Sequence, residues 1–231
     1  MAIKNYLVFQ LYKVDGEHYA KTHMYEEYRK ALDFTIPSFQ ENLVGLDEVI
    51  VLDGKSDNIK DVFRQGVYRI YDLWKSEGPC NIVYAGVDTY CLNKVDLFNQ
   101  FDKFMMFNYC DPGVRLPKYP HYFNCDVRYY PHDLPEEVWR VGLDLADNFD
   151  YAEWNCIQEI YNEMLWSQPD IKPEDVYKPN IAYQYFLDGA SGAGADNGGV
   201  NIEDAKIIHF AGTRNIDHMI DMVNQIKEGV S

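Results

Sequence analysis

The sequence is short of three things, and each shortage narrows what the protein does. Basic residues are few: 21 Lys and Arg stand against 37 Asp and Glu, a formal net charge of −16. That balance argues against a general nucleic-acid surface, which needs clustered cations facing phosphate. Long hydrophobic runs are absent, and no stretch approaches the ~20 apolar residues of a membrane-spanning helix, so no membrane insertion is expected. Cysteine is sparse and unpaired in pattern: Cys80, Cys91, Cys110, Cys125 and Cys156 are an odd number without a C-x-x-C spacing. Neither a disulfide framework nor a zinc cage is suggested. The first ten residues carry one Lys and the short apolar run Tyr6-Leu7-Val8-Phe9, too little for a signal peptide. A cytoplasmic protein is the expectation.

What is present fits one large domain over residues 1–231. Hydrophobic residues make up 47% and charged residues 25% of the chain, which excludes disorder, coiled coil and collagen-like repeats. Asn5 to Lys13 reads as a buried strand, Thr22 to about Asn42 as a helix that Pro37 should kink or interrupt, and Asp47 to Leu52 as a strand closed by Asp53-Gly54. A helix from Asn58 to Ser76 ends at Gly78-Pro79, and the strand Asn81 to Ala85 follows. This β-α-β-α-β alternation predicts an α/β fold with a mostly parallel central sheet flanked by helices. Further on, Phe104 to Tyr109 and Tyr122 to Tyr130 read as strands around a turn at Asp111-Pro112-Gly113. Glu136 to Asn148 and Glu153 to Trp166 read as helices, Ala205 to Phe210 as a late strand and Ile216 to Ile226 as a last helix. Tyr129 and Tyr130 alternate, so one is free to stack on a ligand while the other enters the core. Trp139, Trp154 and Trp166 read as packing residues.

Ligands of open α/β sheets bind at the carboxyl ends of strands, near the switch in strand order. Asp88 lies three residues past the strand Asn-Ile-Val-Tyr-Ala, where a carboxylate can hold a divalent cation on a diphosphate or, equally, cap a turn. Gly86 permits close backbone approach there. His209 ends its strand as a metal ligand or a satisfied structural histidine, with Gly212 and Arg214 following within reach of phosphate. The glycine-rich stretch Gly189 to Gly199 has neither P-loop nor dinucleotide-fold spacing and reads as a surface loop.

Four segments, in order, resemble the GT-A nucleotide-sugar glycosyltransferases, closest to the retaining glycogenin and bacterial galactosyltransferase group. They are Asn81–Leu92 (NIVYAGVDTYCL), Tyr122–Tyr130 (YFNCDVRYY), Ile157–Asn162 (IQEIYN) and His209-Phe210-Ala211-Gly212. The resemblance implies a single-domain, Rossmann-like GT-A fold in which Asp88 and His209 are ligands of Mn²⁺ or Mg²⁺. It places Asn124 on the donor sugar, Gln158 beside the anomeric carbon, Arg69 near a basic donor-binding position and Gly212 against phosphate. Tyr12 and Asp53, on the first two strand edges, would hold the nucleoside. The chain departs from the family at Gly86, where the first Asp of D-x-D is expected, at Ile157, where D-Q-D begins, and at Asp126, where the family has Gly. After the late motif Arg214 would replace a Lys charge. Asp126 is then a candidate substitute ligand. For an alternative to transfer from a nucleotide-sugar donor to an acceptor hydroxyl, the departures suggest a non-catalytic nucleotide-sugar-binding protein. A glycosyltransferase acting on modified nucleic acid ranks last, on charge. The acceptor, whether glycan, protein or small molecule, is not legible.

Overall fold

Lys4–Val14 (β1) is apolar enough to be covered on both faces, with Leu7, Val8 and Phe9 wholly buried, and it is an inner strand of the main sheet in the computed structural model. The structure describes residues 2–14, 22–56, 58–110, 119–148, 156–178, 180–186, 200–211 and 215–229. Glu48–Ser56 (β2) pairs parallel on one side of β1 and Cys80–Ala85 (β3) parallel on the other. The connections are the helices Thr22–Asn42 (α1) and Ile59–Ser76 (α2). Since β2 and β3 flank β1, right-handed crossovers send the two helices to opposite faces. Phe39 of α1 meets Phe9 edge-on at 5.9 Å, while Gln10 on the other face donates through Nε2 to the Gly66 carbonyl of α2 at 2.8 Å. The strand order therefore switches at β1, which opens a crevice at the carboxyl ends of these strands.

Tyr122–Tyr130 (β6) runs antiparallel beside β3, and Met105–Cys110 (β5) antiparallel beside β6. The order is β2-β1-β3-β6-β5, so four of the five strands point one way and the sheet is mostly parallel as expected. A second, three-stranded sheet joins Thr89–Cys91 (β4), Ala182–Phe186 (β7) and Ile207–Ala211 (β8), with β8 in the middle. Glu136–Asn148 (α3) and Cys156–Trp166 (α4) cover the α2 face of the main sheet. There Trp139 lies parallel to Tyr130 at 5.1 Å and against Trp74 at 5.5 Å, so the packing role expected of it holds. The short helix Pro173–Val176 (α5) precedes β7, and Ile216–Lys227 (α6) closes the second sheet with Ile216, Met219, Val223 and Ile226 buried.

Four local expectations change. The second strand does not close at Asp53-Gly54 but continues to Ser56, because β1 offers it a partner as far as Val14. Gly54 instead allows a close approach: a Cβ there would lie 2.8 Å from the Tyr12 ring. Helix α1 runs through Pro37 without a break. Pro37 and Asp33, the residue whose carbonyl loses its donor, both lie on the exposed side, where water can satisfy that carbonyl. Tyr129 and Tyr130 are both core residues, at 1% and 0% exposure, because both faces of β6 are covered. The three-residue β4 and the segment β7 were too short to show periodicity. The turn at Asp111-Pro112-Gly113, Trp154 and the Gly189–Gly199 stretch lie outside the described residues.

Candidate active site

The chain leaves β3 at Ala85 and turns through Gly86-Val87-Asp88 into β4. This turn is held at every step. The Gly86 N–H donates to the Asp126 carbonyl (2.7 Å), and Thr89 returns to the Gly86 carbonyl through its N–H (3.2 Å) and its Oγ1 (2.7 Å). From α1, the buried Thr35 hydroxyl reaches the Val87 and Thr89 carbonyls at 3.1 and 2.9 Å. Asp88 in turn accepts at its carbonyl from Phe210 N–H (2.8 Å), and β4 pairs with β8 so that Thr89 faces His209. The seam between the two sheets thereby carries Asp88 and His209 to the end of β6.

Three side chains meet there. His209 Nε2 lies 3.2 Å from Asp126 Oδ2 and 3.6 Å from Asp88 Oδ1. The ligand atoms of the three all fall within 4.8 Å of one another. The imidazole is 3% exposed and the carboxylates of Asp88 and Asp126 are 16% and 28% exposed, so the cluster opens on its acidic side. Burial disfavours the imidazolium, but Asp126 and then Asp88 outweigh it and hold the His209 pKa up at about 9. Burial, reinforced by the Asp88 charge, pushes Asp126 up against the pull of His209. Two carboxylates and one imidazole can hold a divalent cation and suit Mn²⁺ better than Mg²⁺, which prefers oxygen ligands alone, and their spacing suits ligands each roughly 2 Å from one ion. The residues present therefore fit the divalent cation that the resemblance implies.

The geometry also accounts for Gly86. A Cβ at this position would lie 2.9 Å from Asp88 Oδ1, 3.1 Å from Asp126 Cβ and 3.2 Å from Asp126 Oδ1. A carboxylate on position 86 and one on position 126 would compete for the same space. Asp126, a candidate substitute ligand on its sequence neighbourhood alone, is here the third member of the cluster.

The other expected residues divide into groups. Asn124 is buried beside the cluster, and its Oδ1 accepts from Asp126 N–H at 2.8 Å. That is the turn-holding role, and it uses only the oxygen of the amide. Gln158 is half-buried in the first turn of α4, where its carbonyl accepts from Asn162 Nδ2 at 2.8 Å. Asn162 also clamps the Phe123 backbone, accepting from its N–H (3.0 Å) and donating to its carbonyl (2.8 Å), and so fixes α4 against β6. Arg69 and Tyr12 meet on the α2 side, with the guanidinium carbon 5.7 Å from the ring centroid over Gly54. Asp53 is not with them. It faces α1, where Tyr25 Oη donates to both its oxygens at 2.8 and 3.1 Å and Arg29 Nη1 lies at 3.5 Å. Gly212 and Arg214 lie outside the described residues.

No protein-family model matches the sequence. No curated protein matches it either. Among solved structures, a glycosyltransferase involved in the glycosylation of the major capsid of PBCV-1 aligns over 97% of this chain and 99% of its own, at TM-score 0.53 and 13% identity. The fold is glycosyltransferase-like. At that identity the likeness extends to the backbone arrangement, and the chemistry must be argued from the Asp88–Asp126–His209 cluster within the glycosyltransferase-like frame. Among the described residues no helix is long and apolar enough to cross a membrane.

Proposed function

We propose that the chain is a glycosyltransferase that moves a sugar from a nucleotide-diphosphate sugar to an acceptor hydroxyl. The observation that carries this reading is the convergence of Asp88, Asp126 and His209 at the carboxyl end of β3 in a glycosyltransferase-like fold. We place Mn²⁺ or Mg²⁺ on these three side chains. When bound, such an ion supplies positive charge to the leaving diphosphate.

The remaining steps belong to the protein. Tyr12 and Arg69 would hold the nucleoside side of the donor, Gly86 keeps the backbone low beneath it, and Gly212 and Arg214 would meet phosphate. Asn124, braced on the Asp126 N–H, would orient the sugar, and Gln158 would face the anomeric carbon with α4 locked by Asn162. Retention of anomeric configuration goes with the resemblance to the glycogenin group. Asp53 is given up as a nucleoside contact in this reading, since Tyr25 and Arg29 already occupy it. The non-catalytic reading draws on the carboxylates missing at positions 86 and 157; in this proposal Asp126 stands in for the first, while Ile157 leaves the second unreplaced. The test is thermal stability of the purified protein against a panel of nucleotide-sugars, with and without Mn²⁺, since a ligand of the native state must raise the melting temperature. A Mn²⁺-dependent rise with one donor, lost in Asp88→Ala and Asp126→Ala, is expected; no rise with any donor removes the proposal.

A further inference from the structure

Strand β6 carries a second buried charge that the cluster does not use. Arg128 is 1% exposed, yet among the described residues it has no carboxylate partner and no hydrogen bond, and its Nε is buried without an acceptor. What holds it is aromatic. The guanidinium carbon lies over the Tyr84 ring at 3.8 Å and over the Tyr161 ring of α4 at 3.6 Å. Arginine stays protonated even when buried, so this is a fixed positive charge. The rings supply no hydrogen-bond acceptor in the plane of the guanidinium, and carboxylates bind arginine in that plane.

A neighbouring strand repeats the pattern. Asn108 of β5 is wholly buried, and both its amide oxygen and its amide nitrogen lack a partner. Met106 faces Arg128 across the β5–β6 pair and Asn108 faces Asn124. The irregularity between them takes up two extra residues of β6, an even number, so Asn108, Asn124 and Arg128 stay on one face of the sheet. Buried polar groups in native proteins are nearly always paired, and two such residues on one face mark a place where a ligand completes the hydrogen bonding. Along β6, Arg128 lies two residues from Asp126, roughly 6–7 Å. That spacing along the strand is about the breadth of a pyranose ring.

We infer that Arg128 and Asn108 form the inner wall of the sugar subsite and select a donor whose sugar bears a carboxylate, a uronic acid. The inference rests on the proposed glycosyltransferase reading and names its substrate class. Asp126, two residues away, feels the Arg128 charge through space but makes no hydrogen bond to it, and a neutral hydroxymethyl group in the same place would leave the guanidinium without a directly bonded anion. The other source of anionic oxygen is the donor's own β-phosphate, and the experiment separates the two.

Calorimetric binding in Mn²⁺ to matched donors differing only at C6 decides the matter: UDP-glucose with UDP-glucuronate, UDP-galactose with UDP-galacturonate, GDP-mannose with GDP-mannuronate. The acidic member of one pair should bind about 10-fold tighter or more, the scale of one charge-assisted bidentate contact. Arg128→Met should abolish that preference while the free nucleoside diphosphate binds as before; Arg128→Lys, which keeps charge but loses the planar fork, should lose most of it. Equal or tighter binding of the neutral donors to the unaltered protein overturns the inference while leaving the glycosyltransferase reading intact, and needs no variant to fold. A parallel loss of nucleoside diphosphate affinity in Arg128→Met assigns the arginine to phosphate and overturns it as well. Failure of every donor to bind removes both readings together.

Discussion

Two buried cations sit at opposite ends of the Asp126–Arg128 stretch, and they are treated in opposite ways. His209 has carboxylates at 3.2 and 3.6 Å, which raise its pKa and favour the imidazolium until a metal ion displaces the proton. Arg128 has rings at 3.6 and 3.8 Å and, among the described residues, no anion in hydrogen-bond contact, the nearby Asp126 charge acting only through space. The same contrast recurs in two wholly buried asparagines: Asn162 is satisfied at both ends of its amide by Phe123 and Gln158, and Asn108 at neither. Paired groups build the frame, since leaving a buried donor or acceptor unsatisfied costs more than a made bond returns. The unpaired hydroxyls of Tyr130 and Tyr161 and the Trp139 indole show that lack of a partner alone does not mark a ligand contact; a charged guanidinium and a full amide without partners are the costlier cases.

The sharpest way to break this contrast is to remove a satisfied group. Asn162→Ala strands the Phe123 N–H and carbonyl inside the protein, which should lower stability by roughly 3 kcal/mol at the 1–3 kcal/mol typical of each unmet buried group. Urea unfolding followed by far-UV circular dichroism reads this; a loss below about 1 kcal/mol would mean that the α4–β6 contact is held by packing alone. Next in size is the cation. Asp126→Ala should weaken Mn²⁺ binding by more than ~100-fold, beyond the range seen when only an outer partner of a metal ligand is removed. Titration calorimetry with Mn²⁺ checks it, and unchanged affinity would leave Asp126 as no more than an ion-pair partner of His209.

The space between β3 and β6 offers a third test. Gly86→Asp alone should destabilise by about 2 kcal/mol, the usual cost of forcing extra atoms into a packed position. With Asp126→Gly in the same chain the crowding is relieved, so the two changes should be non-additive by at least ~1 kcal/mol, as expected for residues sharing one space. Additive effects would show that positions 86 and 126 do not exchange one carboxylate.

How much of this was readable beforehand depends on range. The order of strands and helices through β3 was legible because each element is long enough to show its period, and β1, β2 and β3 are joined by short connections. His209 proves not to end its strand: β8 continues to Ala211, held by pairing with β7, and His209 is its middle residue. Asp88 and His209 were nonetheless legible because each follows an apolar run. Their union with Asp126 was not, since it is created by pairing of β4 with β8 and of β3 with β6, contacts between residues far apart in sequence. Asp53 was singled out for its place near a strand end, and alternation turns it toward Tyr25 while Tyr12 faces Arg69, a separation that a linear reading does not show. Arg128 did leave a signal, a lone cation inside the apolar strand YFNCDVRYY, although only burial and the lack of partners give it meaning.

Asn108 sharpens the comparison with Asn162 at smaller scale. If its amide serves a ligand rather than the fold, Asn108→Val should not destabilise the free protein and should stabilise it by about 1 kcal/mol, since an unpaired buried amide is removed and β propensity improves. Thermal melts without donor would read this. A drop in stability would place Asn108 among the framework residues with Asn162.

The weakest effect belongs to the surface. Asp53 is 44% exposed and its Arg29 partner 63% exposed at 3.5 Å, so solvent screens their attraction. Asp53→Asn keeps an acceptor for the Tyr25 hydroxyl and removes only the charge, and should change stability by less than about 0.5 kcal/mol. The same variant should leave donor affinity unchanged, because the Asp53 carboxylate faces α1 rather than the Tyr12–Arg69 pair. A loss of affinity for nucleotide-sugar with stability unchanged would return Asp53 to the nucleoside site, and would mean that Tyr25 gives up its hydrogen bond when the donor binds.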